Sequence, residues 1–430
     1  MKRLNSRDKN FEAQFAELLK RGAMDIDAVS ATVKSILDEI RHEGNSALKR
    51  HIARFDGWKA ADDSALQIDP AEMKSAYDAL DGNLKEALHL AYERIYSYHQ
   101  KQMPKSWLDF EQNGSVLGQK VTPVDRAGLY IPGGKAAYPS SLLMNAIPAI
   151  VAGVEEIVVC TPTPGDEVNS LLLGAMHLCN ITKAFKVGGA SAIGAMAYGT
   201  ETIPKTDVIT GPGNIFVATA KKLVFGEVNI DMIAGPSEIG IIADESADPR
   251  YLAIDLLSQA EHDEMASSLL ITTSEAVADA TVEEIEKALK TLDREKIARE
   301  SIDKRGAVIV VKDLDEATHF MNRIAPEHLE LMVANPFELL PKIKHAGAIF
   351  MGSYTPEPIG DYIAGPNHTL PTGGTAKFYS PLNVENFLKK SSIIAMSKAG
   401  IDALGEACAL LAQTEGLDAH RKSVEIRLKD

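Results

Sequence analysis

Glu327 and His328 form a dipeptide whose side chains could carry proton chemistry. An imidazole can remove a proton near neutral pH, and a neighbouring carboxylate can activate a water molecule. The pair follows residues 325–326 (Ala-Pro) and precedes a predicted strand at 329–333. Taken alone, such a dipeptide more often belongs to a surface turn with a histidine at a helix end.

A second set of residues offers nitrogen and oxygen donors for a divalent cation. Gln259 and His262 stand three apart near the end of a predicted helix and therefore share one face. Asp361 lies in a Gly- and Pro-rich stretch, and His420 lies four residues after Gly416. This mixture suits zinc or a similar ion such as manganese. Glutamine is an unusual zinc ligand, a lone histidine there is more often a cap, and spacing alone does not show that the side chains converge.

Two glycine-rich segments follow predicted strands, as they do in nucleotide-binding crevices. Residues 211–214 (Gly-Pro-Gly-Asn) open a helix, where bare backbone and a helix N-terminus favour a diphosphate. The full Gly-x-Gly-x-x-Gly pattern is absent because Phe216 occupies its last glycine position, so a tight turn without a ligand explains this segment equally well. Residues 130–134 (Tyr-Ile-Pro-Gly-Gly) form a second such loop. Two loops in one module favour a nucleotide cofactor.

The hydrophobic patterns predict an α/β scaffold of two Rossmann-like, parallel-sheet modules with helical segments at both ends. Residues 1–100 show apolar side chains at helical spacing, and β-type runs then alternate with helical stretches. Segment 352–379 predicts a long ordered loop, and the chain from Pro381 onward predicts a helical tail. The predicted strands are 127–131, 156–160, 184–187 and 207–210, then 239–243, 268–272, 307–311, 329–333 and 348–351. The predicted helices are 140–152, 167–178, 190–198 and 214–225, then 249–262, 275–292 and 314–323.

Length and charge limit the possible organisation and partners. A chain of 430 residues exceeds the usual size of one core, so two or more domains are expected. With 45 basic and 60 acidic residues, the net charge of −15 disfavours nucleic acid or an anionic membrane as the main partner. The three cysteines form no CxxC pair, which predicts reduced thiols. The charged N-terminal residues and the lack of a long apolar run predict a cytoplasmic protein.

Several segments occur together in an order that resembles the histidinol dehydrogenases. The resemblance extends from about residue 30 to the C-terminus. The segments that carry it are 234–238 (Ala-Gly-Pro-Ser-Glu), 259–263 (Gln-Ala-Glu-His-Asp), 325–330 (Ala-Pro-Glu-His-Leu-Glu), 360–362 (Gly-Asp-Tyr), 364–368 (Ala-Gly-Pro-Asn-His) and 415–420 (Glu-Gly-Leu-Asp-Ala-His). Several multi-residue matches in one order make coincidence a poor explanation for the individual motifs.

The resemblance implies an enzyme that oxidises L-histidinol to L-histidine through an aldehyde in two NAD-dependent steps. It implies that His328 is the general base and that Glu327 activates water for the second oxidation. The implied ligands of one zinc ion per subunit are Gln259, His262, Asp361 and His420. The implied substrate contacts are Ser237, Gln259, His262, His328, Asp361, His368, Glu415 and His420. Tyr130 and Asn214 match cofactor contacts.

One position departs from the family pattern. The family usually has glutamine in a Gly-Gly-Ala-Gln run that contacts the cofactor, whereas Ser191 follows residues 188–190 (Gly-Gly-Ala) here. Serine is shorter and has fewer hydrogen-bonding groups than glutamine. Ser191 remains a candidate cofactor contact, and the departure concerns cofactor binding more than the class of reaction.

His420 is so far along the chain from Gln259 that it must reach the site by long-range folding or from a second subunit. The resemblance implies the second subunit, in an intertwined homodimer whose C-terminal segment completes the partner's site. The implied domains are an N-terminal arm (1–25), a main domain with the metal and catalytic residues (26–129 and 237–381), a nucleotide-binding domain (130–236) and a helical tail (382–430).

Three other functions remain open from the sequence. The nearest is a zinc- and NAD-dependent dehydrogenase of another small polar alcohol, such as a sulfonated diol. A zinc hydrolase and a non-catalytic zinc-binding protein are the others. Glu415, which suits a cationic amine, and the run 365–368 (Gly-Pro-Asn-His) favour the amino alcohol.

Overall fold

The computed structural model describes residues 1–22, 24–133 and 139–429, and their strands are short and distributed along the chain. In chain order the strands are β1 (Lys2–Asn5), β2 (Trp107–Phe110), β3 (Val116–Pro123), β4 (Arg126–Tyr130), β5 (Glu156–Cys160), β6 (Lys183–Phe185), β7 (Val208–Thr210), β8 (Asn229–Ile230), β9 (Glu238–Ala243), β10 (Ser267–Thr272), β11 (Ala307–Val310), β12 (His328–Met332), β13 (Ala348–Met351) and β14 (Leu388–Ala395).

Helices separate most of these strands. They are α1 (Phe11–Leu18), α2 (Ile26–Glu43), α3 (Asn45–Phe55), α4 (Pro70–Ala79), α5 (Gly82–Gln100), α6 (Pro139–Ala152), α7 (Ser170–Leu178), α8 (Gly189–Tyr198), α9 (Ile215–Val224), α10 (Pro249–Ala260), α11 (Glu275–Leu289), α12 (Glu295–Arg305), α13 (Leu314–Ile324), α14 (Pro336–Leu339), α15 (Glu357–Tyr362), α16 (Lys398–Thr414) and α17 (Asp418–Leu428). Short 3₁₀ turns lie at Leu19–Gly22, Ser64–Leu66, Pro164–Asp166, Leu340–Lys342, Thr375–Lys377 and Val384–Phe387. Within the described ranges, no helix combines the length and apolar character needed to cross a membrane.

Two parallel sheets form the centre of the molecule, which confirms the predicted α/β class. One has six strands in the order β1-β11-β10-β9-β12-β13, and the other has five in the order β6-β5-β4-β7-β8. Every residue of β9 and of β12 is buried. Such continuous burial is typical of parallel strands that helices cover on both faces.

Each parallel sheet lies between two apolar layers because alternate side chains of a strand point to opposite faces. On the five-stranded sheet, Leu129 points into the layer that contains α5, and Tyr130 into the layer that contains α2 and α8. The apolar faces of α2 to α5 thus cover this sheet. The implied grouping of 26–129 with 237–381 stays a prediction. The sequence shows that a helix has an apolar face, but not which sheet that face will cover.

The strand that begins at Arg126 also crosses the implied boundary between residues 129 and 130. At the N-terminus, β1 pairs in parallel with β11, and Phe15 packs into the core of the six-stranded sheet. The expected helical arm therefore contains an edge strand. Only Leu4 of that strand is fully buried, so the apolar pattern gave no signal for it.

A third, antiparallel sheet adds a strand to the tail, which the sequence predicted to be mainly helical. Its order is β14-β3-β2, and β14 pairs with β3 over all eight of its residues. The run 389–392 (Lys-Lys-Ser-Ser) has no alternating apolar pattern, and pairing with β3 decides its conformation. The predicted loop 352–379 likewise contains α15, and α12 was not predicted.

Candidate active site

Glu327 and His328 lie at the start of β12, one of the central strands of the six-stranded sheet. The preceding helix, α13, is capped by Asp313, whose side chain accepts from the Glu316 N–H. It ends at Ala325, which has left-handed backbone geometry with φ of +49°. This turn directs the chain into the strand, and both side chains of the dipeptide are buried. The alternative of a surface turn is therefore wrong.

The backbone of Glu238, the first residue of β9, holds both side chains. Its N–H donates to Glu327 Oε2 at 2.8 Å, and its carbonyl oxygen lies 3.1 Å from His328 Nδ1. A carbonyl oxygen can only accept a hydrogen bond, so Nδ1 carries the hydrogen. In the neutral imidazole, Nε2 is then the nitrogen that can take up a proton.

The nitrogen Nε2 of His328 faces a cluster of candidate metal ligands. It lies 3.4 Å from Asp361 Oδ1 and 3.8 Å from Glu357 Oε1. One ligand atom each from His262, Glu357 and Asp361 lie within 4.8 Å of one another. The structure thus brings His262 and Asp361 together as the metal prediction required, and it adds Glu357.

Gln259 and His262 lie at the end of α10. This helix starts with Pro249 after Asp248, whose side chain accepts from the Arg250 N–H, as is typical of a helix N-terminus. Gln259 Oε1 is buried and has no hydrogen-bond partner among the described residues. A buried acceptor without a donor is costly, and a bound cation would remove that cost. The donor set therefore fits a divalent metal ion.

Glu357 is held from two sides by elements that meet at the cluster. Its backbone N–H donates to Glu330 Oε1 of β12 at 2.9 Å, and its Oε2 accepts from the Ser258 hydroxyl of α10, also at 2.9 Å. No sequence motif pointed to Glu357, because its neighbours 355–358 (Thr-Pro-Glu-Pro) resemble an ordinary turn. The short helix α15 carries both Glu357 and Asp361 and so sets their separation.

Burial and neighbouring charges shift the pKa values of the site. Burial raises the pKa of Glu327 to about 8, although His328 acts in the opposite direction. Burial disfavours the imidazolium of His328, but the Glu327 and Asp361 carboxylates outweigh it and raise the pKa to about 10. Burial also acts to raise the pKa of Asp361, yet the hydrogen bond and charge of His328 hold it well below its usual range. Without a metal ion, the site thus favours a charged His328–Asp361 pair.

The predicted substrate contacts near this cluster are Ser237 and His368. Ser237 directly precedes β9 and is partly exposed. The His368 ring lies with Nδ1 2.9 Å from the backbone oxygen of Asp361. Both Asp361 and His368 line a cavity of about 690 Å³, which is large enough for a small polar substrate.

The predicted cofactor residues lie on the five-stranded sheet. Tyr130 ends β4, and its hydroxyl accepts from the Gly189 N–H at 3.2 Å. Asn214 caps α9, with its side-chain oxygen accepting from the Phe216 and Val217 N–H groups. Ser191 lies in the first turn of α8. Gly134 of the second glycine-rich segment lies outside the described residues.

Position 211 can accommodate only glycine. Its φ is +116°, and a Cβ would come within 2.0 Å of the Tyr130 carbonyl oxygen. Two buried side chains not singled out from the sequence hold this turn. Asp231 Oδ2 accepts from the Gly211 N–H at 2.9 Å, and Lys221 Nζ donates to the Gly211 carbonyl oxygen at 3.0 Å. Lys221 and Asp231 also form a salt bridge.

Glu415 and His420 lie apart from these residues, on the hairpin of α16 and α17. Both side chains are exposed, and α17 packs chiefly against α16. Among the residues that the structure describes, the candidate metal cluster of His262, Glu357 and Asp361 does not include His420. The single chain thus assembles part of the predicted ligand set.

Comparisons with known proteins agree with the family resemblance. A family model described as histidinol dehydrogenase matches residues 19–428. The chain is 67% identical to a histidinol dehydrogenase from Sulfurimonas denitrificans, over 98% of each chain. It is 66% identical to one from Wolinella succinogenes, over 100% of this chain and 99% of the relative. A crystal structure of histidinol dehydrogenase from Elizabethkingia anophelis matches with a TM-score of 0.94 at 34% identity, covering 100% of this chain and 98% of that one.

Proposed function

Since the chain belongs to the histidinol dehydrogenase family and is an oxidoreductase of histidine biosynthesis, we propose that it oxidises L-histidinol to L-histidine through histidinaldehyde in two NAD-dependent steps. One observation carries this proposal. Glu327 and His328 lie buried side by side, and His328 Nε2 faces the cluster of His262, Glu357 and Asp361. A proton acceptor and a second ionisable group therefore stand beside a site suited to hold a small polar alcohol.

His328 acts as the base in both oxidations. Its Nε2 takes the hydroxyl proton of the alcohol as a hydride leaves the same carbon, and it returns that proton to the carbonyl oxygen when water adds to the aldehyde. Nε2 is then free to take a hydroxyl proton of the aldehyde hydrate in the second step. The backbone carbonyl of Glu238 supports this role because it keeps the hydrogen on Nδ1.

Glu327 activates the water that adds to the aldehyde. Its Oε2 is oriented by the Glu238 N–H, and burial makes its carboxylate a stronger base than an exposed one. Glu327 removes one proton from the water while His328 protonates the aldehyde oxygen, and the resulting hydrate then supplies the second hydride. Bound NAD would supply the hydride acceptor for both steps.

Gln259, His262 and Asp361 hold one zinc ion, together with the partner subunit's His420. The buried, unpartnered Gln259 Oε1 supports this ligand set, and Glu357 offers a further oxygen donor. Bound zinc supplies a fixed positive charge that orients the substrate through its nitrogen atoms. Manganese would suit the same nitrogen and oxygen donors.

The site is shared between two chains of a homodimer. Two features support sharing: His420 and Glu415 lie on an exposed hairpin, and that hairpin presents apolar side chains to solvent (Leu404, Leu410, Leu411 and Ile426).

Glu415 then contacts the cationic amine of the substrate, while Ser237 and His368 contact its other groups. Tyr130, Ser191 and Asn214 contact the cofactor. The cytoplasmic location stays a prediction.

The assay that tests this function is NADH formation by the purified protein with NAD and L-histidinol. We expect activity that a chelator abolishes and that added zinc restores. Full activity in metal-stripped protein would contradict the metal role, and activity with other small alcohols but not with L-histidinol would contradict the substrate.

A further inference from the structure

A chain of three polar side chains leads from the surface to the first turn of α8. His51 Nδ1 lies 2.9 Å from Ser191 Oγ, and His51 Nε2 lies 3.1 Å from Glu39 Oε2. Ser191 is 3% exposed and His51 is 6% exposed. Buried polar groups that satisfy one another in this way have fixed orientations. None of the candidate metal ligands or catalytic residues takes part in these hydrogen bonds.

Glu39 sets the direction of these hydrogen bonds. The pKa of Glu39 is held below its usual value, first by the hydrogen bond from His51, so the carboxylate is ionised and can only accept. In the neutral imidazole, the hydrogen is then on Nε2, and Nδ1 accepts the single hydrogen of the Ser191 hydroxyl. The remaining lone pairs of Ser191 Oγ make it an acceptor toward any third group.

Ser191 lies near the carboxyl edge of the five-stranded sheet, the edge at which parallel sheets commonly bind a nucleotide. It is the third residue of α8, whose first residue, Gly189, donates its N–H to the Tyr130 hydroxyl at the carboxyl end of β4. The N-cap residue of α8 is Gly188, which has no side chain to cap the helix. Helix N-termini at the carboxyl edge of a parallel sheet are common positions for a dinucleotide.

We propose that His51, held by Glu39, is a positioning residue for the cofactor. It orients the Ser191 hydroxyl as a hydrogen-bond acceptor for a donor of NAD, either a ribose hydroxyl or the nicotinamide amide. This inference rests on the proposed NAD-dependent function. It explains how a side chain as short as serine serves as a cofactor contact, because a second residue fixes its orientation.

The test compares NADH affinity, by fluorescence titration without substrate, among variants of the full-length protein. His51→Phe keeps a ring but removes both nitrogens, and Ser191→Ala removes the hydroxyl. We expect each to weaken NADH binding about tenfold, the effect of one lost hydrogen bond. The double variant should be no weaker than either single one, because the two residues act as a unit. His51→Asn, which offers an oxygen near the position of Nδ1, should retain affinity within about threefold.

Steady-state kinetics and a packing control separate positioning from structure. The KM for NAD should rise with the NADH dissociation constant, whereas the KM for L-histidinol should not change. Ile52→Val removes one methyl group from the core beside His51, so it should lower thermal stability slightly and leave NADH affinity unchanged. If His51→Phe does not fold, Ser191→Ala and Glu39→Gln can be used instead, and both are expected to weaken NADH binding.

Unchanged NADH affinity in Ser191→Ala and His51→Phe would overturn the inference, as would additive losses in the double variant. Equal weakening by Ile52→Val would also overturn it. These outcomes leave the proposed function standing, provided that the wild-type protein binds NADH and forms NADH from L-histidinol. A wild-type protein that does neither would overturn the proposed function, and this inference with it.

Discussion

At the residue scale, the environment of His328 sets when it can act as a base. Burial acts against the imidazolium, but the carboxylates of Glu327, Asp361 and Glu357 outweigh it and raise the pKa to about 10, so the imidazole is protonated at neutral pH in protein without a metal ion. A cation bound by Asp361 and Glu357 would offset the charge of these two carboxylates and lower the pKa toward neutrality, where a general base is most effective. The metal and the base are thus coupled through charge as well as through position.

Replacing His328 tests the base directly. His328→Asn keeps a donor for the Glu238 carbonyl but removes Nε2, so we expect kcat to fall by a hundredfold or more, within the range of about 10²–10⁴ for general base catalysis. Metal content should stay the same, which metal analysis of the purified variant would check. His319→Asn, an exposed histidine on α13, is the matched control. A His328→Asn variant with near-normal kcat would exclude the role.

The buried carboxyl groups of Glu330 and Asp255 predict that the stability of the protein depends on pH. Burial raises the pKa of Glu330 well above its usual value, and Asp255 adds to the shift. A carboxyl group with a raised folded pKa contributes stability that is fully present below its unfolded pKa, about 4.3. That stability is lost as the pH rises through the folded pKa, by about 1.4 kcal/mol for each unit of difference.

We therefore expect Glu330→Gln to gain stability relative to wild type as the pH rises from 4.5 through neutrality, measured as the free energy of unfolding of metal-free protein. Glu338→Gln, at an exposed position on α14, should show no such trend. A constant difference between Glu330→Gln and wild type across this pH range would mean that Glu330 is not held protonated by burial.

At the element scale, the turn between β7 and α9 depends on the buried pair of Lys221 and Asp231. Both side chains form hydrogen bonds with the backbone of Gly211, whose conformation is rare for other residues. Lys221→Met would leave Asp231 buried without its counter-charge, which typically costs about 3–5 kcal/mol. We expect a matching loss in the free energy of unfolding.

The neighbouring Lys222→Met is the control for that measurement, because Lys222 is exposed and should change stability by no more than about 0.5 kcal/mol. Equal effects of the two substitutions would show that the buried pair does not stabilise the turn.

The strands β4–β7 and β9–β13 of the two parallel sheets could be predicted because each is a short apolar run, such as Glu156–Cys160, bounded by polar residues. The strands β1 and β14 could not, because few of their residues are buried and their conformation depends on pairing with distant strands. For the site, the resemblance led to His262, Asp361 and the dipeptide. Glu357, His51 and Glu39 could not be found, because their partners are distant in sequence.

At the scale of the whole molecule, the candidate catalytic dipeptide and the candidate cofactor residues belong to different sheets. Glu327 and His328 lie at the amino end of β12, whereas Tyr130 lies at the carboxyl end of β4. The tail that carries His420 packs as a separate hairpin. We expect a complete site to need both sheets of one chain and the tail of another.

Mixed dimers test whether the site is shared. His420→Ala and Gln259→Ala should each be inactive alone. If each site takes His420 from the partner, subunit exchange creates one site with both defects and one with neither. We expect up to about half of the wild-type activity per mixed dimer, by the logic of a closed two-fold assembly. No recovery under proven exchange would mean that each chain supplies its own His420.

We propose that one site carries out two successive oxidations of L-histidinol. The most direct measurement is the amount of NADH formed when the wild-type protein consumes a limiting amount of L-histidinol in excess NAD. We predict two NADH for each L-histidinol, with L-histidine as the product and no free aldehyde accumulating. One NADH for each L-histidinol, with histidinaldehyde as the end product, would contradict the account.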